Sequence, residues 1–246
     1  MNSPSRYVCS AALALIALLA GPAAAQAPDD AQAPDDARPF CTEDAMIVFD
    51  ASGSMAGNTV QGLFSAITRI DEVRKALAQV LPQASKFRKI GLITYGPGPY
   101  QQCNVQLNFE PMWNATGPIM SVVNAINPAG KTPLVGAVKV AAAALDSKEK
   151  PGVIVVLTDG EETCGGTPCD LGKAIKATGR ALTVHVIGYQ LRGYRWTGAQ
   201  SYLDAQCLAE ETGGLYITAE NRQDLVEAFE KTLGCPMMSA VGDLLH

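Results

Sequence analysis

Residues Val153–Leu157 (VIVVL) are five consecutive apolar residues, mostly β-branched, with no polar alternation. A run of this kind fits a strand buried on both faces, as in parallel sheets covered by helices. Ala45–Phe49, Ile90–Tyr95, Val105–Phe109, Leu182–Ile187 and Leu215–Ile217 read as further strands. Helical spacing lies between them. It links Leu63, Ile67, Ile70, Val73, Leu77 and Val80, then Ile119, Val122, Val123 and Ile126. Pro133 opens another helix, with Leu134, Val138, Ala141 and Leu145 on one face. Leu171–Thr178, Ser201–Glu211 and the set Leu225, Val226, Phe229 and Leu233 complete the series. Strands alternating with helices predict an α/β fold with a mostly parallel central sheet and helices on both faces. The third strand follows the second through Gly96-Pro97-Gly98-Pro99 with no intervening helix, which predicts one antiparallel edge strand.

The chain has enough apolar material for a sizeable core, since 48% of its 246 residues are hydrophobic and 17% charged. Net charge is −5 and there is no long basic cluster, which argues against a nucleic-acid partner. Residues 1–25 read as a signal peptide. Arg6 precedes the apolar stretch Ala11–Ala20, Gly21-Pro22 breaks it, and Ala23 and Ala25 supply an A-x-A cleavage site. Cleavage after Ala25 places the protein in the periplasm or outside the cell, and no later segment is long and apolar enough to span a membrane. Residues 26–39 contain QAPDDA twice and read as a disordered acidic linker. The folded domain is expected at 40–235, followed by a tail at 236–246.

Loss of the leader removes Cys9 and leaves Cys41, Cys103, Cys164, Cys169, Cys207 and Cys235. An even set in an exported chain predicts three disulfides. Zinc fits less well, because only His185 and His246 are available and there is no pair of C-x-x-C motifs. Two glycines and a proline lie between Cys164 and Cys169, which makes a local bridge feasible. Cys41 precedes the first strand and Cys235 follows the last helix, so a bridge between the termini is the second choice. Cys103 with Cys207 is left by elimination, across a large part of the sheet, and Cys207 with Cys235 is its alternative.

Three short motifs carry oxygen ligands. Asp50-Ala51-Ser52-Gly53-Ser54 directly follows the first strand, Thr132 heads the helix at Pro133, and Asp159 ends the Val153–Leu157 strand. In a parallel sheet, Asp50 and Asp159 share the carboxyl end, where open α/β sheets form their binding crevices. The helix after Thr132 spans about 16 residues, roughly 24 Å, and the next strand runs back antiparallel to it. Thr132 therefore returns beside Asp159. Three hydroxyls and two carboxylates suit a hard cation, Mg²⁺ first and Mn²⁺ or Ca²⁺ as alternatives. Gly130-Lys131-Thr132 is similar to the end of a P-loop, but Ala125 stands where that motif needs its first glycine. Glu161 and Glu162 read as a solvated acidic loop or as tuning the charge at the metal. His185, in an apolar strand, reads as a core or strand-end residue.

The strings DASGSM, GKTPL and TDG resemble the three elements of the metal-ion-dependent adhesion site (MIDAS) of von Willebrand factor A (vWA) domains. Thr158–Gly166 (TDGEETCGG) is similar to stand-alone secreted bacterial members. The resemblance covers about residues 42–233. It implies a Rossmann-like sheet ordered 3-2-1-4-5-6. It implies direct ligation by Ser52, Ser54 and Thr132, with Asp50 and Asp159 mainly acting through water. It also implies an adhesion-type, protein-binding module that captures an Asp or Glu of a partner through the cation. The loops Gly96–Cys103, Glu161–Cys169 and Tyr189–Tyr202 are the expected rim. A docking subunit of a cell-envelope assembly is the alternative. A metal-assisted hydrolase fits less well, because no base–nucleophile pair accompanies the site, and the protein is expected not to be an enzyme.

Overall fold

The computed structural model describes residues 41, 43–59, 67–145, 151–191 and 200–234. The expected leader (1–25), linker (26–39) and C-terminal tail (236–246), with Cys235, lie outside the described residues. Six strands form one sheet: β1 (Asp44–Asp50), β2 (Ile90–Tyr95), β3 (Val105–Met112), β4 (Gly152–Thr158), β5 (Leu182–Tyr189) and β6 (Tyr216–Ala219). Their order is β3-β2-β1-β4-β5-β6. Every neighbouring pair is parallel except β2 and β3, where Tyr95 faces Val105 and Ile93 faces Leu107 in antiparallel register. The predicted order and the antiparallel edge strand are both present.

The helices are α1 (Arg69–Phe87), α2 (Thr116–Ala125), α3 (Leu134–Ala144), α4 (Pro168–Ala177), α5 (Gln200–Glu211) and α6 (Arg222–Leu233), with a short 3₁₀ turn at Gly53–Ala56. Successive strand residues point to opposite faces, and the two cores follow that alternation. Ala45, Ile47 and Phe49 of β1 join a core with α1, α2 and α6. Met46 and Val48 join a second core with α3, α4 and α5. All seven residues of β4 are buried, which accounts for its unbroken apolar sequence.

Two boundaries differ from the expected pattern. The helical spacing that includes Leu63 and Ile67 gives way to a helix that starts at Arg69, and residues 60–66 lie outside the described residues. Thr68 is the reason. Its hydroxyl accepts from the Asp71 amide while the Asp71 carboxylate accepts from the Thr68 amide. This reciprocal cap is worth about 1 kcal/mol and fixes the first residue of α1. The helix α3 is also shorter than expected, at 11 residues, and Pro133 precedes it rather than opening it.

Four of the cysteines pair differently from the sequence-based expectation, while the expected Cys41–Cys235 bridge involves Cys235, outside the described residues. Cys103 bonds to Cys164 and Cys169 to Cys207, so Cys164–Cys169, Cys103–Cys207 and the alternative Cys207–Cys235 do not form. Cys41 is also disulfide-bonded. Pro168 places Cys169 in the first turn of α4, which packs against α5 closely enough that a Cβ on Gly172 would lie 3.0 Å from the Cα of Leu208. Cys169 therefore meets Cys207 of α5. Gly165 and Gly166, both at positive φ, separate Cys164 from that helix and leave it on the loop that meets the β2–β3 connection.

Candidate metal centre

The parallel strands β1 and β4 end side by side, and their last residues carry the site. Asp50 is fully buried and Asp159, one residue beyond β4, is 2% exposed. Neither carboxylate is left without partners. Asp50 Oδ1 accepts from the Ser52 amide at 2.7 Å, and Oδ2 accepts from the Thr158 hydroxyl at 3.2 Å and the Asp159 amide at 3.4 Å. Asp159 Oδ1 accepts from the Ser54 hydroxyl at 2.5 Å, and the Ser52 and Ser54 hydroxyls stand 3.0 Å apart. Asp50, Ser52, Ser54 and Asp159 thus form one continuous polar cluster at the carboxyl end of the sheet.

Thr132 joins this cluster through backbone contacts. Gly130 accepts from the Gly53 amide at 2.9 Å, and Ser52 and Gly130 form a parallel bridge. On its other side, the Thr132 amide donates to the Thr163 hydroxyl at 2.8 Å, and the Thr163 amide donates to the Thr132 carbonyl at 3.0 Å. The structure therefore brings the segments of all five sequence-predicted residues together. Thr132 is 5% exposed, and its hydroxyl has no hydrogen-bond partner among the described residues. Gly96 makes the close approach possible. It lies at φ +74, and a Cβ there would sit 2.8 Å from the Ser52 backbone.

Burial, reinforced by the charge of Asp159, pushes the Asp50 carboxyl up to about 7. Burial also raises Asp159, opposed by hydrogen bonds from Ser54 and Arg69. Two buried carboxylates in one cluster repel each other, and a cation relieves that repulsion. Three hydroxyl oxygens and two carboxylates form an all-oxygen donor set that fits Mg²⁺, Mn²⁺ or Ca²⁺.

Several neighbours were not legible as site residues. Arg69, the first residue of α1, places Nη1 2.9 Å from Asp159 Oδ2. Gln190, just past β5, accepts from Arg69 Nε at 3.2 Å. Glu162 is half-buried, and its carboxylate is turned to backbone amides rather than to the cluster. Its carboxylate accepts from the Val135 amide at 2.7 Å, in the first turn of α3, and from the Cys164 amide at 2.6 Å. Tyr95 lies behind the cluster, fully buried, with its hydroxyl donating to the Leu157 carbonyl at 3.1 Å. Of the expected rim, Tyr189 is buried as the end of β5, and residues 192–199 lie outside the described residues. His185 lies mid-strand in β5, opposite Val155 of β4, where its Nδ1 accepts from the Leu215 amide at 2.9 Å.

The sheet order, the single antiparallel strand and the helices on both faces make this a vWA fold, and residues 45–162 match the family model of the von Willebrand factor type A domain. That stretch of the chain therefore resembles a vWA domain in both sequence and fold. It is similar to YwmC of Bacillus subtilis (strain 168), with 27% identity over 195 residues, 74% of this chain and 79% of that protein. Among solved structures, it resembles an aerotolerance-related membrane protein from Bacteroides fragilis NCTC 9343. That match has 21% identity and a TM-score of 0.56, covering 78% of this chain and 98% of the other. It also resembles the vWF domain of the type V pili tip protein Mfa5 from Porphyromonas gingivalis, with 14% identity and a TM-score of 0.56, covering 81% and 95%. At these identities the solved structures speak for the fold.

Proposed function

We propose that this protein is an exported binding module that uses a divalent cation to capture an acidic side chain of a partner protein. The observation that carries the reading is the polar cluster itself. Two buried carboxylates and three hydroxyl-bearing residues converge at the carboxyl end of the sheet, with the Thr132 hydroxyl left without a protein partner among the described residues. Ser52, Ser54 and Thr132 are the residues that would ligate the metal, with Asp50 and Asp159 holding those hydroxyls and the metal's waters. A bound Mg²⁺, or in its place Mn²⁺ or Ca²⁺, would supply the positive charge that attracts a partner's carboxylate.

The surrounding residues serve rigidity rather than chemistry. Glu162, the reciprocal Thr132–Thr163 hydrogen bonds and the Cys103–Cys164 disulfide all tie the Thr132 loop and its neighbours together. This preorganisation suits recognition, because a ligand then orders less of the protein on binding. No role as a catalyst is assigned. Export is supported by the leader-like N-terminus and by disulfide-bonded cysteines, which persist in oxidising compartments.

Isothermal titration of chelator-treated protein with Mg²⁺, Mn²⁺ and Ca²⁺ tests the metal half of the proposal. One site, lost in Ser52→Ala, is expected. Silent titrations with all three ions would refute it.

A further inference from the structure

We infer that Arg69 sets the charge of this site, so that the metal-loaded cluster carries an excess positive charge matched by one carboxylate from a partner. The inference rests on the proposed metal site and names the residue that gives the site its demand for an anion.

The contact is built from several sides. The Arg69 guanidinium donates from Nη1 to Asp159 Oδ2 at 2.9 Å and approaches the Ser54 carbonyl at 3.5 Å. Its Nε donates to Gln190 Oε1 at 3.2 Å, and its own amide donates to the Gly57 carbonyl at 2.9 Å. Gln190 is braced in turn. Its backbone stands at φ +54, an uncommon conformation for a residue with a Cβ. Its amide donates to Ala219 at 2.8 Å and its Nε2 to the Glu220 carbonyl at 3.3 Å. The Asp159 side chain is fully buried and that of Arg69 is 26% exposed, unlike an ion pair between two solvated side chains.

Each oxygen of Asp159 therefore has a separate task. Oδ1 faces inward to the Ser54 hydroxyl, and Oδ2 faces outward to Arg69. This division keeps Asp159 from offering both oxygens to a cation. It also changes the charge count. With both carboxylates ionised, as a bound cation favours, Asp50 and Asp159 contribute two negative charges and Arg69 one positive charge, so the protein side of the loaded site carries an excess of one negative charge. A divalent cation converts that to an excess of one positive charge, which a single acidic side chain neutralises. Without Arg69 the loaded cluster would already be neutral. Glu162 is not among the groups that touch Asp50, Asp159 or Arg69, because its carboxylate is turned to the backbone amides of Val135, at the head of α3, and of Cys164, in the loop after β4. At contact distances in a partly buried site, such charges are only weakly screened.

The signature is a pair of effects with opposite signs. Removing the guanidinium charge should tighten metal binding and weaken carboxylate binding to the loaded site. A merely structural arginine would weaken both or neither. Mn²⁺ is the metal probe and acetate the carboxylate probe, with water-proton relaxation reporting bound Mn²⁺ and its displaced water. Arg69→Gln is expected to bind Mn²⁺ about fivefold more tightly and acetate about fivefold more weakly than wild type, while Arg69→Lys stays within about twofold for both. Gln190→Ala releases the guanidinium without removing it, and should shift both affinities in the same directions by less. It serves as the test if circular dichroism shows Arg69→Gln to be unfolded. Mn²⁺ binding by wild type without opposite shifts in the folded variants would overturn the role of Arg69 alone. Absence of Mn²⁺ binding by wild type would overturn the metal site and this inference together.

Discussion

The Ser54 hydroxyl donates to Asp159 Oδ1 at 2.5 Å, joining residues 105 positions apart in the chain. The contact exists because β1 and β4 are adjacent parallel strands whose carboxyl ends lie at the same edge of the sheet. It also ties the two acidic motifs into one cluster before any ligand is considered.

Asp50 is the deepest member of that cluster, and its replacement should uncouple metal from stability. A ligand that binds only the native state at a hundredfold excess over its Kd adds about 2.7 kcal/mol. For a domain of this size that corresponds to a rise of roughly 5–10 °C in melting temperature. Asp50→Ala should lose the Mg²⁺-dependent rise, whereas Asp170→Ala, an exposed acid on α4, should keep it. Differential scanning calorimetry with Mg²⁺ and with chelator measures both.

Much of this cluster was legible in the sequence because its residues occupy strand ends and a helix head, positions that patterning locates well. Asp50 and Asp159 follow apolar runs, and Thr132 precedes a helical period. Arg69 was not legible, because its relation to Asp159 depends on where α1 begins, and the apolar spacing continues upstream of that point. The Thr68–Asp71 capping pair was the available signal for the boundary. The disulfides were misread for a related reason. Nearness in sequence favoured Cys164 with Cys169, but Pro168 carries Cys169 into α4 and across to α5. Cys103 reaches Cys164 because the Gln102 carbonyl accepts from the Lys131 amide, which draws the β2–β3 connection over the site.

The Cys103–Cys164 bond should matter for both stability and metal binding. It closes a segment with a sequence separation of 61, for which chain entropy gives about 4 kcal/mol of stabilisation. The double variant Cys103→Ser, Cys164→Ser should therefore unfold at markedly lower denaturant. It should also bind Mg²⁺ more weakly, because the loops around Thr132 lose their covalent tie. Urea titration and calorimetry report the two effects. Unchanged metal affinity would mean that the hydrogen bonds of Thr132 and Glu162 suffice to hold the loop.

His185 predicts a contribution to the acid limb of stability. Burial, aided by the charge of Arg88, pushes its imidazole down from 6.5 to about 4 in the folded protein. Between those values the unfolded chain binds a proton that the folded chain does not. The contribution is therefore present above about pH 6.5 and is lost as pH falls toward 4. Protonation would also remove the Nδ1 lone pair that accepts from Leu215. His185→Gln should show a shallower loss of stability than wild type between pH 6.5 and 4.5, measured by urea unfolding at each pH. Parallel curves would remove His185 from the account.

Capture of a partner from the parent organism's envelope extract tests the central claim most directly. Immobilised wild type is compared with Thr132→Ala in Mg²⁺, in chelator and after Mg²⁺ is restored, with circular dichroism as the folding control. Thr132 carries a candidate ligand hydroxyl yet little of the core, so its replacement should leave the domain folded. Wild type should capture a partner in Mg²⁺, lose it in chelator and recover it when Mg²⁺ is added back, whereas Thr132→Ala should capture little throughout. High salt should reduce capture less than chelator does, because a direct bond to metal is screened less than surface charge. Equal capture by wild type and folded Thr132→Ala, or capture that persists in chelator, would contradict the account and place the binding surface away from this cluster.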